Sequence, residues 1–208
     1  MNAAPRGYHE DPAIMFLHRS IGGYITMFSE MTASMRQQIG AYLAPVDVEF
    51  PISDRLLDVL FASMTAKPIV DAFFSLSTEV GKLDADEAAI RNQLRRRVNE
   101  HLAFRNDLAH AEWSIGWQDA DTGERLPPAA LRIKSSEGVP RLQDVGISSQ
   151  VIGSHIDEVN QLRRLVMVFG RCCRARQRGH DVRLFDLLAV GPEGMPVEGS
   201  AEPGDSTS

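Results

Sequence analysis

Apolar positions recur every three, four or seven residues along most of the chain, the spacing that aligns side chains on one face of an α-helix. Residues 12–43 carry Ile14, Leu17, Ile21, Phe28, Met31, Met35, Ile39 and Tyr42 in that register. Asp11 and Pro12 supply an N-cap and a first helical residue, and Gly22-Gly23 predicts a bend. Ala44-Pro45 ends the element before a connector at 46–51. A second helix is predicted over 53–80, capped by Ser53 and built on Leu56, Leu57, Leu60, Phe61 and Met64. Lys67-Pro68 predicts a kink or break inside it, because proline removes a helical N–H and crowds the preceding turn. The third, over 84–113, opens with Asp84 and Glu87 as a capping box and continues through Ile90, Leu94, Val98, Leu102 and Leu108. The fourth, over 148–176, uses Val151, Ile152, Ile156, Val159, Leu162, Leu165, Val166 and Phe169, and a short apolar piece at 182–190 packs back after it.

Between residues 113 and 135 the period changes. Two extended pieces, 114–117 and 130–134, flank the turn-like run Asp119-Ala-Asp-Thr-Gly123, which predicts a small β-hairpin. Short links between long amphipathic helices favour antiparallel neighbours. The expected fold is therefore all-α, a four-helix up-and-down bundle with the hairpin between helices three and four. Residues 1–11 read as an N-terminal extension, 12–190 as one helical domain, and 191–208 as a disordered acidic tail carrying Glu193, Glu198, Glu202 and Asp205.

Composition narrows the class. A chain of 208 residues suits one domain, large enough to bury roughly 70% of its unfolded surface. No apolar run reaches the ~18–20 residues of a membrane span, and the N-terminus lacks the pattern of a secretory signal. Cys172 and Cys173 are the two cysteines and are sequence neighbours, which fits a reducing cytoplasm and no disulfide framework. With no Cys/His cluster at ligand spacing, neither a metal nor a cofactor is expected. The formal charge is −6, yet arginines gather locally at Arg91 and Arg95–Arg97, at Arg163 and Arg164, and from Arg171 to Arg183. Each cluster reads either as a solvated helix face or as a nucleic-acid surface.

Phosphate-loop, dinucleotide-fold, nucleophile-elbow and zinc-protease motifs are all missing. His9, His18, His155 and His180 sit in unrelated contexts, where structural or exposed roles are the expectation. Helix three holds the exception, Phe104-Arg105-Asn106-Asp107-Leu108-Ala109-His110-Ala111-Glu112-Trp113. On a wheel of about 100° per residue, Arg105 falls inside the stripe set by Ile90, Leu94, Val98, Leu102 and Leu108, with Asn106 and His110 together on its edge. A guanidinium in an apolar stripe requires a partner. One reading is an ion pair with Glu30, Asp71 or Asp107 that sets helix register. The other is a site: Arg105 holds a phosphate, His110 moves a proton, and Asn106 orients either group. An Arg–His pair without a metal suits cleavage of RNA through the substrate's own 2′-hydroxyl.

The wording Arg105-Asn106-x-x-x-His110 near the end of a third helix resembles the HEPN family (higher eukaryotes and prokaryotes nucleotide-binding domain), whose members carry an Arg-polar-x4–6-His signature in which the residue after Arg is commonly Asn, Asp or His; here three residues stand between Asn106 and His110. A second Arg-x4-His pair, Arg96 to His101, lacks the Asn directly after the arginine, the position at the helix end and the aromatic flank of Phe104 and Trp113. The resemblance implies a helical homodimer in which two such motifs meet as a composite, metal-independent ribonuclease site with RNA as substrate. It further implies roles as toxins or defence effectors held by an antitoxin or regulatory partner, while other members are non-catalytic scaffolds. Two readings follow: a HEPN-type ribonuclease using Arg105, Asn106 and His110, and a non-catalytic interaction protein that dimerises through the same face.

Overall fold

The apolar registers become helices in the computed structural model, which describes residues 11–44, 54–115, 117–124, 126, 129–136, 139–144, 146–190 and 196–198. Helix α1 spans Pro12–Leu43, α2 Asp54–Phe61, α3 Ala66–Gly81, α4 Ala85–His110, α5 Ser149–Gln177 and α6 Leu184–Leu187. Strands β1 (Glu112–Ser114), β2 (Ala129–Ser136) and β3 (Val139–Asp144) form an antiparallel sheet in the order β1-β2-β3, placed in the chain between α4 and α5. A second antiparallel pair joins β4 (Leu188–Val190) to β5 (Pro196–Glu198). The expected all-α fold with a small antiparallel insertion is thus the fold the chain has. No described helix is long and apolar enough to cross a membrane.

Several boundaries differ from the sequence expectation, each for a physical reason. The break in the second predicted helix falls before Ala66, and Pro68 is the third residue of α3. There a missing N–H costs nothing, because the first turn of a helix has no internal acceptor for it. Helix α4 stops at His110 instead of continuing to Trp113, because Glu112, Trp113 and Ser114 pair with Leu131, Ala130 and Ala129. The hairpin turn forms at Asp119, whose Oδ1 accepts the Asp121 and Thr122 N–H groups at 3.0 and 2.8 Å, and Gly123 takes the positive φ of +68° that closes it. The sheet gains β3, and Pro196–Glu198, within the stretch expected to be a disordered tail, pairs with β4. Helix α1 runs unbroken through Gly22-Gly23. Ser53, the extension at 1–10 and the rest of the tail lie outside the described residues.

The chain divides into two compact units. The first comprises residues 1–28 and 103–159. It contains the start of α1, the end of α4, the sheet and the start of α5, and it buries Ile14, Leu17, Tyr24, Leu108, Ala130 and Ile152. Asp11 caps α1 as expected, its Oδ1 accepting the Ala13 N–H at 2.8 Å.

The second unit, residues 29–102 and 160–208, is a helical bundle around an aromatic centre. Phe73 and Phe74 of α3 meet Phe169 of α5, each at 6.1 Å between ring centroids, and Tyr42 of α1 stacks on Phe73 at 6.3 Å. The Tyr42 hydroxyl donates to the Gly170 carbonyl at 3.1 Å and lies 3.0 Å from Ser77 Oγ, so this buried polar group is satisfied from both α3 and α5. Gly81 lets the end of α3 approach α5, since a Cβ there would stand 2.8 Å from Cys173 Sγ.

Beside that contact lies the most connected charge in the unit. Glu87 is 2% exposed. It forms the expected capping box, its N–H reaching Asp84 Oδ1 at 2.8 Å. Its carboxylate also takes both terminal nitrogens of Arg176 on α5 and the Leu184 N–H at 3.0 Å. Arg176 in turn donates to the carbonyls of Val182 at 2.6 Å and Gly81 at 3.2 Å. Burial, the largest single effect, works to raise the Glu87 carboxyl. The hydrogen bonds from Arg176, Leu184 and Asp84 outweigh it together and hold the group below its usual value of 4.5. The stabilisation is therefore present above that value and is lost as pH falls through the lower folded value. Removing one partner of a buried pair costs about 3 kcal/mol or more. Glu87→Gln is expected to lower stability by about that amount at pH 7, with the gap to wild type closing below about pH 4.5. Thermal melts at pH 7 and pH 3 read both, and an equal gap at the two pH values would count against this role.

Candidate functional site at the end of the fourth helix

In the first unit, the last turns of α4 are held by aromatic packing. Phe104 presents its ring to the edge of Tyr24 from α1, at 5.0 Å and 84°, and lies against the His155 imidazole of α5, at 4.0 Å and 35°. Tyr24 is fully buried, and burial, then the nearby Glu158 charge, push its hydroxyl well above the ordinary tyrosine range. His155 Nδ1 lies 3.6 Å from Glu158 Oε2 one turn further along α5. Leu108, 3% exposed, completes the anchoring of the helix end. These contacts pack the last turns of α4 against α1 and α5.

The three sequence-predicted site residues share the final six positions of α4. Arg105 is half-buried, Asn106 is exposed, and His110 is exposed as the last helical residue. The guanidinium donates from Nη1 to Asn106 Oδ1 at 3.3 Å. That is its one hydrogen bond among the described residues, so the structure joins Arg105 to Asn106 and leaves His110 about 7.5 Å further along the helix axis.

The expectation that Arg105 lies in an apolar interior is corrected. Leu108 on the same stripe stays buried at 3% exposure, while the long Arg105 side chain is only half-buried, so the guanidinium is not enclosed by the core. Two of the acids considered as its partners are engaged elsewhere: Glu30 with Arg163 at 2.9 Å, and Asp71 with Lys67 at 2.6 Å and Arg95 at 2.9 Å.

The competing Arg96/His101 pair is separated by burial. His101 is 3% exposed, and Arg96 lies 3.7 Å from Glu100. Trp117, 57% exposed, does not serve as core. Cys172 and Cys173 are both buried, and burial pushes the Cys173 thiol up to about 12, far from the thiolate form that reacts.

Sequence reasoning missed His155 as a neighbour of this helix end. A signal was present: His155 stands three residues after Ile152 and four before Val159, on the buried register of α5.

A scan against protein-family models, a search of curated proteins and a search of solved structures each found no match to this chain.

Truncating Phe104 tests the anchoring. Phe104→Ala is expected to cost about 2 kcal/mol, because the ring is only partly buried. Its amides from Arg105 to His110 should exchange hydrogen faster than those of the rest of α4. Uniform exchange along the helix would show that the ring does not hold this end.

Proposed function

We propose that this protein is a metal-independent endoribonuclease of HEPN type that cleaves RNA at Arg105, Asn106 and His110. One observation carries the reading. An exposed histidine and an arginine free of any acid among the described residues occupy the same helix terminus, with the arginine steadied by the asparagine beside it.

Arg105 binds the scissile phosphate and stabilises the charge that grows on its oxygens. Asn106 is a positioning residue, accepting one guanidinium N–H and leaving the others for the substrate. His110 transfers protons as acid or base. A base removes the 2′-hydroxyl proton, the 2′-oxygen forms a bond to phosphorus, and the bond to the 5′-oxygen breaks as that oxygen takes up a proton. The products are a 2′,3′-cyclic phosphate and a 5′-hydroxyl. Two copies of the motif in a homodimer supply one histidine for each proton transfer. An activity of this kind suits a toxin or defence effector controlled by an antitoxin or other regulatory partner. The exposed Trp117 indole in the same unit offers a surface on which a base stacks.

A second reading, a non-catalytic scaffold that dimerises through this unit, draws on Met15 and Phe16, adjacent on α1 and 52% and 57% exposed. One experiment separates the two. Wild type, His110→Ala and Arg105→Ala are incubated with a mixed RNA pool in EDTA, and their masses are recorded by size exclusion with light scattering. Wild type should cut the pool, and each variant should lose at least about 100-fold in rate while remaining a folded dimer. Cleavage surviving in both variants removes these residues from the mechanism. An inert, well-folded dimer favours the scaffold.

A further inference from the structure

Arginines on the second half of α5 fall into two sets. From Asn160 to Gln177 the helix carries Arg163, Arg164, Arg171, Arg174 and Arg176 and no carboxylate. Three of them turn to acceptors within the fold: Arg163 to Glu30, Arg174 to Gln177 at 2.6 Å, and Arg176 to Glu87.

Arg164 and Arg171 are exposed, and so is Arg178, whose N–H still follows the helix to the Arg174 carbonyl at 3.2 Å. Their seven-residue interval returns them to one side of the helix, with about 10.5 Å of axial rise between successive members. Among the described residues, none of these three side chains makes a hydrogen bond or ion pair. The contrast with α4 is direct: there Arg95 is met by Asp71, and Arg96 and Arg97 by Glu100.

We infer that Arg164, Arg171 and Arg178 form a track for the phosphate backbone of single-stranded RNA. This rests on the RNA reading of the preceding subsection and extends it to a surface that reading does not use. The spacing is close to a Debye length at 0.1 M salt, so the three charges repel one another little yet act together on a linear polyanion. Guanidinium forks match phosphate oxygens two at a time. From Asn160 onward α5 exposes no large apolar side chain, so the row offers charge without an apolar anchor.

The test measures binding in a His110→Ala background, so that cutting does not intervene. A fluorescein-labelled 20-nucleotide single-stranded RNA is titrated by anisotropy between 50 and 200 mM salt. With Arg164→Gln, Arg171→Gln and Arg178→Gln combined, the slope of log K against log salt should fall by about 2, and affinity at 100 mM salt roughly tenfold or more. The corresponding triple lysine variant should recover most of the slope, and circular dichroism checks that each variant is folded. An unchanged slope in the glutamine variant, or displacement of the RNA by an equal charge of polyglutamate, overturns the track. RNA bound through the row but left uncut by wild type keeps the track and removes the nuclease. Cleavage with an unaffected slope does the reverse.

Discussion

Glu87 is the charge on which the second unit depends. Its carboxylate is almost fully withdrawn from water, and an isolated carboxylate there would be intolerable. Arg176 and the Leu184 and Asp84 N–H groups satisfy it, while Arg176 spends its remaining donors on the Gly81 and Val182 carbonyls. The start of α4, the end of α3, the end of α5 and the turn into α6 are thereby tied to one pair of side chains. Apolar packing around Phe73, Phe74 and Phe169 supplies attraction and edge-to-face geometry, and the directional bonds of the ion pair add to the register. Gly81 is a consequence of the same constraint, since the close approach of α3 to α5 leaves no room for a Cβ.

The first unit works by different physics. Its helix end is anchored by ring contacts, Tyr24 against Phe104 and Phe104 against His155, with no carboxylate–guanidinium pair on Arg105 among the described residues. That distinction matters for function. An arginine committed to an internal acid, as Arg176 and Arg163 are, cannot also take a phosphate. Arg105 keeps most of its donors, and its backbone is immobilised one residue earlier by Phe104. A rigid support with an uncommitted head group is the arrangement that binding and transition-state stabilisation favour.

Much of this was readable from residue order, and what was not had long-range causes. Asp11 and Asp84 cap the helices they were expected to cap, because capping is decided within four residues. The 119–123 turn formed for the same reason. Pro68 misled because its effect depends on its place in the turn, which the apolar pattern does not specify. Strand β3 contains Pro140, normally a mark against a strand, and is tolerated at the edge of its sheet. Glu87 was legible as a capping residue but not as the partner of Arg176, 89 positions away among several equivalent arginines. At the candidate site, Arg105, Asn106 and His110 were legible as a motif. The half-burial of Arg105 was not, because a wheel gives the direction of a side chain and not how far a long one reaches toward water.

The central claim is that the protein recruits the nucleophile from its substrate and needs only Arg105, Asn106 and His110 around it. The most direct measurement compares one RNA oligonucleotide with its 2′-deoxy counterpart of identical sequence, both incubated with wild-type protein in EDTA, with product ends read by mass spectrometry. The account predicts that the ribose strand is cut to 2′,3′-cyclic phosphate ends while the deoxyribose strand stays intact. Cleavage of both strands, or 3′-hydroxyl ends on the RNA products, would contradict it.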